Sequence, residues 1–174
     1  DALARLSGQP IIAVISVPAP YGPMRAFLRA VPREHAFVWN SPPSGTDCAG
    51  GGVAHRIDVS GRERLKQLRQ GSESLWARVR EWQHPMAVAR PPRLVGGLAF
   101  SAGNTNRGPW TEFGDGTFTL ASWTYWRTGR DCALSLAIDR DKLNQLLYGG
   151  APVATVYPFP LYPALTRFSN SAAI

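Results

Sequence analysis

Apolar residues along this chain alternate or run together in short blocks, with one longer stretch spaced as on a helix face. That pattern predicts several strands and few helices. Ile11-Ile12-Ala13-Val14-Ile15-Ser16-Val17 is β-branched and short, and Pro18 and Pro20 close it as a strand. Pro23 opens a short helix through Met24, Phe27 and Leu28, which Pro32 ends. Ala36-Phe37-Val38-Trp39 is a second strand, followed by a turn over Asn40-Ser41-Pro42-Pro43-Ser44-Gly45. From Ala49 to Val59 three glycines lead into the alternation Val53, His55, Ile57, Val59, which predicts a single third strand.

Ser60 is placed to cap a helix whose apolar positions are Leu65, Leu68, Leu75, Trp76, Val79 and Trp82, with Pro85 as its stop and Gly71 as a kink or break. Leu94 to Phe100 is the next strand, split by Gly96 and Gly97, and Ser101 to Pro109 is a polar loop before a hairpin turn at Asp115-Gly116. Thr117 to Trp126 and Cys132 to Ile138 predict a hairpin closed at Thr128-Gly129-Arg130-Asp131. Asp139 caps a last helix over 141–148, ended by Gly149-Gly150, and the Pro- and Tyr-rich tail from Ala151 has no periodicity. The order of elements predicts an α+β fold, mainly antiparallel sheet with packed helices.

Composition narrows the function classes without choosing one. A chain of 174 residues, 44% hydrophobic, builds one core. The longest apolar run is too short to span a bilayer, and nothing resembles a signal peptide, so the expected location is cytoplasmic, with no membrane partner. A start at Asp1 suggests that the true start lies upstream or was processed away. Cys48 and Cys132 make neither a disulfide framework nor a metal pair and read as buried thiols. The net charge of +7 comes almost wholly from arginine, but the arginines are scattered. The densest group, Arg62, Arg64, Arg69, Arg78 and Arg80, sits beside Glu63, Glu73 and Glu81 and reads as a solvated helix face. Nucleic acid is therefore not the expected partner.

Four motifs in order carry a family resemblance over residues 11–138. They are Phe37-Val38-Trp39-Asn40-Ser41-Pro42, then Ala49-Gly50-Gly51-Gly52-Val53-Ala54 with Ser60-Gly61 and a helix after it, then Leu94-Val95-Gly96-Gly97-Leu98-Ala99-Phe100, and Trp110-x-x-Phe113. Together they resemble isochorismate synthases of the chorismate-utilising enzymes, whose relatives include anthranilate, aminodeoxychorismate and salicylate synthases. Two departures stand out. The glycine strand is less aromatic than the family's, and Ala121-Ser122-Trp123 stands where the family has Leu-Pro. The resemblance implies the N-terminal portion of the anthranilate synthase component I-like fold, with residues 1–150 as scaffold and 151–174 as a tail.

It also implies chorismate as substrate and a product, isochorismate, used in menaquinone or siderophore and salicylate synthesis. In such enzymes a lysine base and a glutamate acid move the ring hydroxyl while Mg²⁺, held by other glutamates, anchors a carboxylate. Those groups follow a Lys-Val-Val-Leu-Ala-Arg-like strand that this sequence lacks. Lys66 and Lys142 match no family base, Glu34, Glu63, Glu73, Glu81 and Glu112 form no magnesium cluster, and Asp139 and Asp141 read as helix caps. His35, His55 and His84 lack ligand spacing.

No catalytic, cofactor-binding or metal residue is assigned, and Mg²⁺ is expected for the full-length family only. Gly96 and Gly97 read as a packing device before a ligand contact, Gly50-Gly51-Gly52 lacks phosphate-cradle spacing, and Trp39, Trp110, Trp123 and Trp126 read as packing. The chain is thus expected to be an isochorismate synthase N-terminal portion, truncated before its catalytic segment and inactive alone. Its missing half, or a second copy, would cover an exposed apolar face. The alternative is a non-catalytic module on the same scaffold that binds an anionic ligand or nucleic acid through its basic surface.

Overall fold

A computed structural model of the chain describes residues 11–33, 35–41, 45–88, 90–103, 111 and 114–139. The last helix expected over 141–148, the tail, most of the polar loop and Trp110 with Phe113 lie outside them. Among the described residues nine strands form two sheets, with two helices beside them. The larger sheet runs β2-β3-β8-β9-β1-β5, with β1 at Ile12–Pro18, β2 at Phe37–Ser41, β3 at Thr46–Gly51, β5 at Val79–Gln83, β8 at Trp123–Thr128 and β9 at Asp131–Asp139. The smaller runs β4-β7-β6, with β4 at His55–Val59, β6 at Leu94–Leu98 and β7 at Gly116–Leu120. Every pairing is antiparallel except β1 with β5. The fold is α+β, as the element order predicts.

Alternation along β1 explains the layers. Ala13 and Ile15 point to one face of the large sheet, where they meet Tyr125, Leu134 and Leu136 and the helix α1, Met24–Ala30, through Met24 and Phe27. Phe27 stacks on Tyr125 at 5.6 Å, and the Tyr125 hydroxyl donates to the Pro20 carbonyl at 2.9 Å while accepting the Gly22 amide at 3.0 Å. These bonds fix the approach to α1. Ile12 and Val14 point to the other face, where they pack with Ile57, Val59 and Leu120 of the small sheet and with Leu75 of α2, Arg64–Arg78.

Two expected strands are each two strands. The run 49–59 divides into β3 and β4, and the run 117–126 into β7 and β8; in both cases the first and second pieces lie in different sheets. The two breaks touch. Gly52 takes φ +72°, the Ser122 amide donates to the Gly52 carbonyl at 3.3 Å, and a Cβ on Gly52 would sit 3.2 Å from Ser122 Cβ. The paired strands therefore cross from one sheet to the other at a shared corner, where a left-handed glycine permits the bend.

Four further expectations change. Helix α2 ends at Arg78, and Val79 and Trp82 belong to β5 instead, because the β1 edge offers this segment a parallel ladder. The residue before α2 is Glu63, without a side-chain cap, so Ser60 is no N-cap; the Ser60 amide donates to the Gln67 side-chain oxygen at 2.9 Å. Gly71 does not break α2: a Cβ there would lie 3.0 Å from Ile57 Cγ2, so the missing side chain lets the helix settle on β4. Strand β2 also runs on through Asn40 to Ser41, residues expected to turn, while the β8–β9 hairpin turns at Gly129, φ +61°, as expected.

Candidate functional site

The face of the large sheet opposite α1 is only partly covered by the small one. Over the β2-β3-β8 end the two sheets leave a cleft of about 250 Å³. Cys48 and Trp126 line it from β3 and β8, Phe37 and Trp39 from β2, and Val95 and Phe118 from the small sheet. A neighbouring hollow of about 180 Å³ shares Trp39, Cys48, Arg93 and Trp126 and adds Arg90 and Thr46. The strand pattern dictates this lining. Phe37 and Trp39, Cys48, and Thr124 and Trp126 alternate onto one face, while Asp47 and Arg127 fall on the other and pair there at 2.6 Å.

Electrostatically the cleft is positive. Arg90 and Arg93 are exposed on the segment leading from β5 into β6, and the Arg93 guanidinium lies 5.7 Å from the centroid of the Trp126 ring. Arg90 donates to the Thr46 hydroxyl at 3.5 Å. Burial pushes the Cys48 thiol up, against the opposing influence of Arg93, so it contributes no negative charge near neutral pH. Trp126 is 3% exposed, and its indole N–H has no hydrogen-bond partner among the described residues.

The residues singled out from sequence are dispersed. Lys66 is exposed on α2 and lies 3.7 Å from Glu63; Arg69 and Glu73 pair at 3.6 Å on the same helix. The solvated-face reading holds for these, but Arg78 is buried, with its Nε donating to the Ser74 carbonyl at 3.2 Å, and Arg80 belongs to β5. His55 is half-buried, and burial, then the charge of Arg78, pulls its pKa down. His84 Nδ1 accepts the Met86 amide at 3.2 Å. Cys48 and Cys132 are free thiols on opposite faces of the large sheet. Glu34, Glu112, Asp141 and Lys142 lie outside the described residues.

Among the described residues no three acidic, histidine or cysteine side chains converge as a metal site, so the residues present do not fit a magnesium centre. No helix among them is long and apolar enough to cross a membrane.

Gly96 and Gly97 have different jobs. A Cβ on Gly96 would strike the Thr117 carbonyl and come within 2.7 Å of Phe118 Cα, whereas one on Gly97 meets nothing within 4 Å. Gly96 is thus the packing device, and it also lies on the cleft wall. Trp126 as a cleft residue was not visible from sequence, since only the sheet pairing brings it opposite β6.

Comparison with known proteins adds the family. The family described as chorismate binding enzyme matches residues 2–147. No curated protein matches the chain. Among solved structures it is similar to MenF, the menaquinone-specific isochorismate synthase from Escherichia coli, with 20% identity and a TM-score of 0.47 over 80% of this chain. The chain spans 28% of that protein's length.

Proposed function

The chain belongs to the chorismate binding enzyme family, and on that premise we propose that it supplies the scaffold of a chorismate site, in an enzyme of isochorismate synthase type, without supplying the catalytic groups. The match over residues 2–147 carries this reading. Residues 1–150 act as the scaffold portion and 151–174 as a separate tail. Adding water to chorismate's ring and expelling its hydroxyl requires a positioned base and acid. Lys66 is an exposed helix residue beside Glu63, and no described carboxylates gather with it around a hollow, which supports assigning the chemistry to groups beyond this chain. Magnesium, expected for the full-length family, would likewise be held elsewhere. The 174-residue chain should therefore leave chorismate unchanged, with or without Mg²⁺; magnesium-dependent product would overturn the proposal.

One observation favours a second reading. The two arginines at the cleft suit a module that binds an anionic ligand without transforming it.

A further inference from the structure

We propose that strand β2 is the seam of a symmetric dimer. Phe37–Ser41 pairs antiparallel with the same strand of a second copy, about a two-fold axis at Trp39, and joins two six-stranded sheets into one. The seam depends on the sheet edge alone, so it forms whether or not the chain takes part in chorismate chemistry.

Among the described residues four strands lie at sheet edges: β2 and β5 in the large sheet, β4 and β6 in the small one. An unpaired edge invites another chain, and charges along it are a common guard. Strand β5 carries Arg80 and Glu81, and β4 carries Arg56 and Asp58. Strand β2 carries neither charge nor proline, and its Val38 and Trp39 are 46% and 60% exposed. Strand β6 is also uncharged, but Gly96 and Gly97 remove side chains from its middle, where cross-strand pairs would hold a partner. Of the four, β2 alone is both unguarded and equipped with side chains for pairing.

The strand is complementary to itself. A two-fold axis at its central residue sets Trp39 on Trp39 of the second copy, Val38 on Asn40 and Phe37 on Ser41, so an aromatic pair forms and no like charges meet. Pairing with β3 along all five residues, from Phe37 to Ser41, already holds the strand extended. Pro42 and Pro43 follow directly and cannot donate to a ladder, so a slipped register loses pairs at one end. Area sets the strength. A five-residue pair runs about 17 Å, a strip that falls short of the roughly 800 Å² per partner of a stable interface. The dimer is therefore weak and concentration-dependent.

The test is sedimentation velocity of the full 174-residue chain across a dilution series. A monomer–dimer equilibrium should appear at micromolar concentrations or above, without larger species, because a two-fold contact closes on itself. Trp39→Lys and Val38→Lys, each placing a charge on the edge at an exposed position, should each weaken the dimer by about tenfold or more. Phe100→Ser, at a site 99% exposed but off the strand, should leave it unchanged. Trp39→Cys checks the register and needs no lysine variant to fold. Residues facing across an antiparallel pair lie about 4.5–5.5 Å apart at Cα, within disulfide reach, so mild oxidation should link the dimer. Phe100→Cys, treated alike, should link far more slowly; Cys48 and Cys132 are buried and do not compete. A monomer at every concentration, open-ended oligomers, association unchanged in both lysine variants, or equal linking at positions 39 and 100 would overturn the proposal.

Discussion

The carboxylate of Asp115 accepts the backbone amide of Gly61 at 2.6 Å, across 54 residues of sequence, and with its other oxygen the amide of Gly103 at 2.7 Å. Asp115 is buried, and both glycines are in the left-handed region, at φ +70° and +78°. One side chain thus ties the approach to α2 and the loop beyond β6 to the start of β7. Its removal strands two amides that expect an acceptor. Asp115→Ala should lower unfolding free energy by about 1–3 kcal/mol, read from denaturant midpoints at unchanged slope.

Gly96 and Gly97 provide a paired test of the packing account. Gly96→Ala forces a methyl against Thr117 and Phe118 and should cost about 1–3 kcal/mol by overpacking. Gly97→Ala meets open space, and its φ is not left-handed, so thermal denaturation should find it neutral or slightly stabilised. Equal effects at the two positions would contradict the register of β6 on β7.

Burial drives the Tyr125 hydroxyl pKa from 10.0 up to about 12, with Cys132 adding in the same direction. A raised folded pKa means that the unfolded chain ionises first as pH rises. The stability Tyr125 contributes is therefore intact below pH 10 and is lost between about pH 10 and 12, by an amount on the order of 2 kcal/mol. An absorbance titration should show one of the five tyrosines ionising last, together with loss of fold, and that component should vanish in Tyr125→Phe.

Phe100 is 99% exposed, and Met86, Leu65 and Trp39 are also largely exposed. A scaffold that supports a larger enzyme carries such surface. Sedimentation velocity should show concentration-dependent self-association of the purified chain. A strictly monomeric chain with high thermal stability would point instead to a self-sufficient domain.

Strand content was legible because β1 and β9 are short apolar runs bounded by turn residues or proline, β-branched in β1, and because aromatic and β-branched residues fill β8. The two sheet crossings were not. Gly52 and Ser122 sit inside what the sequence reads as continuous strands, and only their contact with each other shows that both strands bend there. The end of α2 was hidden for a related reason: Val79 and Trp82 keep the helical spacing of Leu75, and it is pairing with β1 that draws them into a strand. The family was legible from short motifs in order, and the family match bears it out. The cleft was not, because Arg93 and Trp126 are brought together by two sheets whose packing no local pattern announces.

The chain belongs to the chorismate binding enzyme family, and the central proposal is that it does not itself perform the reaction. Proton NMR of chorismate incubated with a high concentration of the purified chain tests it most directly, in parallel samples with Mg²⁺ and with a chelator. The account predicts ring-proton signals that match the protein-free control in both samples. Isochorismate or another product accumulating only in the Mg²⁺ sample would contradict it.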